Sequence, residues 1–159
     1  MKNITNIILS LIFIFATNQF LFAQTTTEAD AIIGDWLMPD DEGIIRIYKD
    51  GDFYSGKIIW LKEKEEDGSP LLDKENPIDS LQNRQVEGLQ IMSSFQYKGA
   101  KTWDGGIFYA PKKGKEIEPE FVMKDDNHLN IEISIFIFSL TIEFSRINTK
   151  EFLINRNMK

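Results

Sequence analysis

The chain contains no cysteine. That absence excludes disulfide staples, thiolate metal sites and thiol redox chemistry, and it excludes a lipoprotein anchor, which needs a Cys to carry its acyl chain. Histidine is almost as scarce: His128 stands alone, in an Asp-Asp-Asn-His turn. A lone His in a solvated turn cannot furnish a metal trio or a His-dependent dyad. No Gly-x-Ser-x-Gly elbow and no phosphate-cradling glycine loop occur. Positive charge is in deficit as well, with 18 Lys and Arg against 25 Asp and Glu and a net charge of −7. Such a chain repels nucleic-acid phosphates and anionic head groups, so nucleic-acid binding is excluded. The acids are interspersed with lysines, as from Glu63 to Asp67, which reads as a solubilising surface.

Charge is missing altogether between Lys2 and Glu28. The apolar run Ile7 to Ala16 inside that interval reads as the core of a secretory signal, and it is shorter than the roughly 20 residues a membrane span requires. Ala23 is the small residue at which cleavage is expected. Residues 1–23 are therefore expected to be a signal peptide and 24–159 one soluble domain, periplasmic or secreted, with no transmembrane segment in the mature protein. A length of that order suits one sizeable core and would starve two.

What is present is alternation with a period of two, the mark of half-buried strands. Ile44 to Lys49 and Asp52 to Leu61 flank Asp50-Gly51, a tight-turn pair, and pairing Lys49 with Asp52 sets Ile47 opposite Tyr54 and Ile45 opposite Gly56. Ile45, Ile47, Tyr54, Ile58 and Trp60 then share the buried face; Arg46, Ser55 and Lys57 share the other. The same rhythm returns in Leu89 to Tyr97, Glu116 to Met123, Leu129 to Ile135 and Leu140 to Arg146. Turn signals stand at Lys112 to Gly114 and Asp125 to His128. With Gly34 to Met38 and Trp103 to Tyr109, about eight strands result, at the spacing of an all-β antiparallel barrel or sandwich.

Two stretches interrupt the rhythm. Residues 62–84 are rich in charge, Gly and Pro and longer than ordinary connections, which predicts a lid over one end of the barrel or a surface loop. Within it Asp79 or Ser80 is placed to cap a short helix to Arg84. Residues 133–142 lack turn residues and are apolar on both faces, a hazard unless covered.

Closure of the barrel follows from its ends. Gly34-Asp35-Trp36 opens the first strand and Arg146 lies late in the last, and in an eight-stranded barrel these strands are neighbours. The guanidinium can then lie over the indole while its donors reach backbone carbonyls. This Gly-x-Trp and late Arg arrangement resembles the lipocalin, or calycin, superfamily. A second resemblance spans nearly the whole chain: Ile33-Gly34-Asp35-Trp36, Ile45-Arg46-Ile47-Tyr48, Gly56-Lys57-Ile58-Ile59-Trp60-Leu61, Asp73 with Asn76-Pro77, Gly88-Leu89-Gln90-Ile91, and Trp103 with Gly105 to Pro111 and Gly114-Lys115. These runs are similar to the exported bacterial family catalogued as domain of unknown function 2147 (DUF2147), which implies a small secreted β-barrel-like domain without an established activity. The chain departs from that pattern between Phe136 and Leu140, which hold no Gly, and at Phe144, where the family usually has Trp.

The expected chemistry is recognition. Glu132 and Glu143 fall on the outward parity, where no catalytic carboxylate pair can form, so no enzyme is expected. Asp73, Glu75, Asn76 and Asp79 gather hard oxygens without the spacing of a calcium loop, and neither metal nor cofactor is expected. An interior of Ile, Leu, Phe, Tyr and Trp suits a small apolar ligand or acyl chain. Tyr54, Trp60, Phe95, Trp103, Tyr109 and Phe121 are the expected lining, with Arg84 reaching a polar head group; Trp36 and Arg146 close the barrel. The alternative is an interaction module with a filled core, meeting an envelope protein through the long loop or the 133–142 segment.

Overall fold

The structure is a computed structural model in which residues 28–157 are described. The expected signal segment and its cleavage point lie outside the described residues. Ten strand segments succeed one another: β1 (Gly34–Leu37), β2 (Gly43–Asp50), β3 (Phe53–Leu61), β4 (Gln90–Gly99), β5 (Thr102–Asp104), β6 (Ile107–Ala110), β7 (Lys115–Ile117), β8 (Glu120–Asp125), β9 (His128–Ile135) and β10 (Phe138–Ile147). They make eight staves. β5 and β6 both pair with β4 and are halves of one strand broken at Gly105-Gly106. β7 and β8 pair with β6 and β5 in turn and are halves of another, broken where Pro119 has no amide to donate. β3 pairs with β4 and β1 with β10, so the antiparallel sheet closes on itself.

Antiparallel order sorts the connections between two ends. The turns at 51–52, 100–101 and 126–127 share one end with the entry to β1. The connections 38–42, 62–89, 111–114 and 136–137 share the other. The first end is closed by aromatic packing. Trp36, Phe95, Trp103 and Phe121 are fully buried; Phe95 meets Phe121 edge-to-face at 4.9 Å, and Trp103 lies between Tyr54 at 6.3 Å and Tyr97 at 5.2 Å. Arg146 and Trp36 are directly paired across β1 and β10, with the guanidinium carbon 4.2 Å from the indole centroid. Arg146 donates to the carbonyls of Ile33 (2.8 Å) and Asp126 (2.6 Å), and Trp36 donates to Ile32 (2.8 Å). Gly34, at φ +146°, is required here: a Cβ would come within 2.5 Å of the Arg146 guanidinium.

The β2–β3 hairpin turns at Gly51-Asp52, so Lys49 stands opposite Tyr54 and Ile47 opposite Gly56. That register differs by two residues from the expected one. A shift of two preserves the side of every side chain, and Ile45, Ile47, Tyr54 and Ile58 remain buried. Trp60 departs from that set. A bulge between the pairs Ile45–Ile58 and Ile44–Trp60 inserts Ile59 as an extra residue and reverses the parity beyond it. Trp60 therefore packs edge-to-face on Phe152 at 5.5 Å, with Arg156 over its ring at 5.1 Å.

Phe152 and Arg156 belong to a helix, α1 (Thr149–Asn157), that follows the last strand. Asn148 caps it, its side-chain oxygen accepting from the Glu151 amide. Thr149 donates to Asp35 at 2.6 Å and Arg156 pairs with Asp41, so the helix runs along the outside of the β1–β3 wall. The expected helix at 79–84 is instead one 3-10 turn (Asp79–Leu81) without a side-chain cap. No helix among the described residues is long and apolar enough to cross a membrane.

Candidate functional site

Beyond the aromatic plug the barrel is hollow. A cavity of about 1070 Å³ opens to solvent at the end that carries the long connection. Its wall is mostly aliphatic, with Ile58, Ile91, Ile117, Ile131, Ile133 and Ile142 from five strands, and among the described residues Phe108 and Phe144 supply its aromatic rings. Leu71, Leu72 and Val86 close over it from the 62–89 connection. The rim is charged on both signs. Lys112 pairs with Glu63 (3.1 Å) and Glu42 (3.4 Å), and the bond to Glu63 raises its ammonium above the ordinary lysine range. Lys62 donates to the Asp40 carbonyl at 3.1 Å, and Lys74 pairs with Glu65. The Lys74 bond and the Leu72 amide hold the Glu65 carboxyl below its ordinary range.

A buried polar cluster fixes the connection to the barrel. Asp73 is 1% exposed. One of its oxygens accepts from the Tyr109 hydroxyl at 2.7 Å, and the other from Asn76 Nδ2 (2.9 Å) and from Arg84 Nε (2.9 Å) and Nη2 (2.8 Å). Asn76 also donates to the Tyr109 oxygen, and its own side-chain oxygen accepts from the Ile78 amide. Arg84 lies 5.6 Å from the Tyr109 ring centre. The backbone adds Asp73 N–H to the Arg84 carbonyl and Val86 N–H to the Leu71 carbonyl. Gly114, at φ +59°, makes this docking possible, because a Cβ would fall on the Glu75 carbonyl. Burial, with the Asp73 bond second, raises the Tyr109 phenol above its ordinary range.

The structure distributes the sequence-expected lining differently from the expectation. Tyr54, Phe95, Trp103 and Phe121 do meet inside the barrel, but as the plug. Trp60 is outside, under α1, because of the bulge. Tyr109 and Arg84 anchor the 62–84 segment through Asp73, and the guanidinium is engaged there. None of these seven lines the cavity; its wall is built from isoleucines that alternation had assigned to the interior without singling them out. Large rings can fill a narrow barrel from wall to wall, whereas isoleucines of opposite staves leave space between them. The barrel is filled in its closed half only. Trp36 and Arg146 occupy their expected closing positions. In the acidic stretch from Asp73 to Asp79, the Asp73 oxygens accept from Tyr109, Asn76 and Arg84, and among the described residues no three acidic or His side chains are grouped to hold a metal. His128 pairs through Nδ1 with Asp125 at 2.8 Å in an exposed turn.

A family model for the group described as "Uncharacterized protein conserved in bacteria (DUF2147)" matches residues 34–146, from the β1 glycine to the closing arginine. A structure titled "Protein HP1028 from the human pathogen Helicobacter pylori belongs to the lipocalin family" superposes with a TM-score of 0.65 at 19% identity. The match covers 76% of this chain and 86% of that one. The shared feature is the lipocalin-like barrel. No curated protein matches the chain significantly.

Proposed function

The chain belongs to the DUF2147 family, and from that premise and its hollow barrel we propose that it is an exported carrier of a small apolar ligand or acyl chain, without catalytic activity. The observation that carries the reading is the cavity: about 1070 Å³, aliphatic within and charged only at its mouth. Sites for small molecules enclose about 300–1000 Å³ and are mostly apolar with a few polar groups. An aliphatic wall offers no partner for a buried charge, so the guest's polar part belongs at the rim. Export is supported by Lys2 followed by the apolar run to Ala16. The closed barrel, which fixes the wall on hydrogen-bonded strands, suits a preformed site.

The test is uptake. Delipidated protein is expected to bind the neutral dye N-phenyl-1-naphthylamine with a rise in fluorescence, and hexadecanoic acid or hexadecanol is expected to displace it. Ile117→Trp, which puts an indole into the cavity, is expected to weaken uptake at least tenfold. Delipidated wild-type protein that takes up none of the three would end the carrier reading.

A further inference from the structure

The β9–β10 hairpin ends at the cavity mouth in a tip that no described residue covers. Phe136 is 102% exposed, Ile137 89% and Phe138 73%, with Leu140 more than half exposed. No charged residue occurs from 133 to 142. β8 last supports β9 at Glu132, and β1 reaches β10 only as far as Ser145, so the end of the hairpin is a projecting two-stranded ribbon about 15 Å long at ~3.3 Å per residue. Ile133 and Ile142 at its base stand in the cavity wall. An apolar strip thus runs without a charge from the inside of the cavity to the exposed tip of the hairpin.

We propose that this tip inserts into the interfacial region of a lipid surface, docking the barrel mouth-down on a zwitterionic bilayer. A stable protein interface buries about 1200–2000 Å², and the tip of one two-residue turn cannot supply half of that; a fluid lipid surface surrounds a convex tip on all sides. The mouth also selects the lipid. Asp40, Glu42, Glu63, Glu65 and Glu75 outnumber Lys62, Lys74 and Lys112, and each of these lysines already has an oxygen partner. Anionic head groups are repelled, so apolar insertion alone holds the protein to the surface. The turn itself provides a clean probe. Phe136 sits at φ +54°, where a glycine is relaxed and a phenylalanine strained.

In flotation with phosphatidylcholine vesicles the purified protein is expected to rise with the lipid. Replacing a third of the lipid with phosphatidylglycerol is expected to leave the bound fraction equal or lower. The double variant Phe136→Gly/Ile137→Asn installs a favoured hairpin turn, so its urea midpoint is expected to be unchanged or raised while its partitioning falls at least tenfold. Wild-type protein that stays with the aqueous phase on both vesicles, binding that requires phosphatidylglycerol, or a variant that floats as well as wild type would each overturn the proposal. So would concentration-dependent dimers in sedimentation velocity that the double variant abolishes, which would make the hairpin a self-interface. Ile117→Trp, which blocks the cavity, is expected to float normally, so loss of uptake and loss of docking are read separately.

Discussion

The Tyr109 hydroxyl donates to the carboxylate of Asp73 at 2.7 Å, joining β6 to a residue 36 positions earlier in the connection that closes over the cavity. Asp73 is buried and paired with Arg84, and every donor it loses raises the cost of keeping it there. Tyr109→Phe is therefore expected to loosen residues 71–86 without opening the barrel. In amide hydrogen exchange the Asp73 and Val86 amides, both bonded within the connection, are expected to exchange roughly ten- to hundredfold faster, a loss of about 1–3 kcal/mol of local stability, with β9 and β10 unchanged. Equal exchange in the two proteins would show that the hydroxyl does not hold the connection down.

The same hydroxyl sets an alkaline limit. Burial and then Asp73 raise the Tyr109 phenol above its ordinary value of 10.0. The folded state thus favours the protonated phenol. The associated stability is fully present below pH 10.0 and declines as pH climbs from there through the higher folded value. Urea midpoints measured from pH 8 to 11 are expected to fall more steeply for wild type than for Tyr109→Phe, which has no phenol to ionise. Parallel curves would rule out this origin of the alkaline loss.

At the closed end, Arg146 stacks on Trp36 and donates to two carbonyls, that of Ile33 in a part-buried position and that of Asp126 in the exposed turn. Arg146→Met keeps the aliphatic stem and removes both donors and the cation; a loss of about 2–4 kcal/mol in urea unfolding is expected. Arg146→Lys keeps charge but not the planar fork, so it is expected to recover less than half of that loss. Full recovery by lysine would mean that charge alone, not two directed hydrogen bonds over the ring, closes the barrel.

Those closing residues were legible in the sequence because barrel closure depends on order and parity, which alternation reports directly. The eight staves, the inward isoleucines and the Trp36–Arg146 pairing all follow from a period of two and one turn chemistry. The register error of two residues in the first hairpin cost nothing, since parity survived it. One extra residue, Ile59, did what two could not: it turned Trp60 out of the barrel, and no sequence pattern distinguishes a bulged isoleucine from a paired one. Helix α1 left a signal in Asn148 and Glu151, a cap and the third residue after it, but nine residues of weak amphipathic pattern lie below what periodicity resolves. The division into plug and cavity was illegible for another reason. It depends on which side chains meet across the barrel axis, and that is set by stagger between staves rather than by any one strand.

The plug and the cavity wall should therefore respond differently to truncation. Phe95 is fully buried against Phe121 in a packed region, so Phe95→Ala removes contacts and leaves a void that cannot collapse; about 3–5 kcal/mol is expected. Ile133 borders space that already exists, so Ile133→Ala forfeits mainly the transfer term of three carbons, about 1–2 kcal/mol. Urea unfolding of the two variants measures the contrast directly. If Ile133→Ala proved as costly as Phe95→Ala, the open half of the barrel would be as tightly packed as the closed half, and a guest would have no room there.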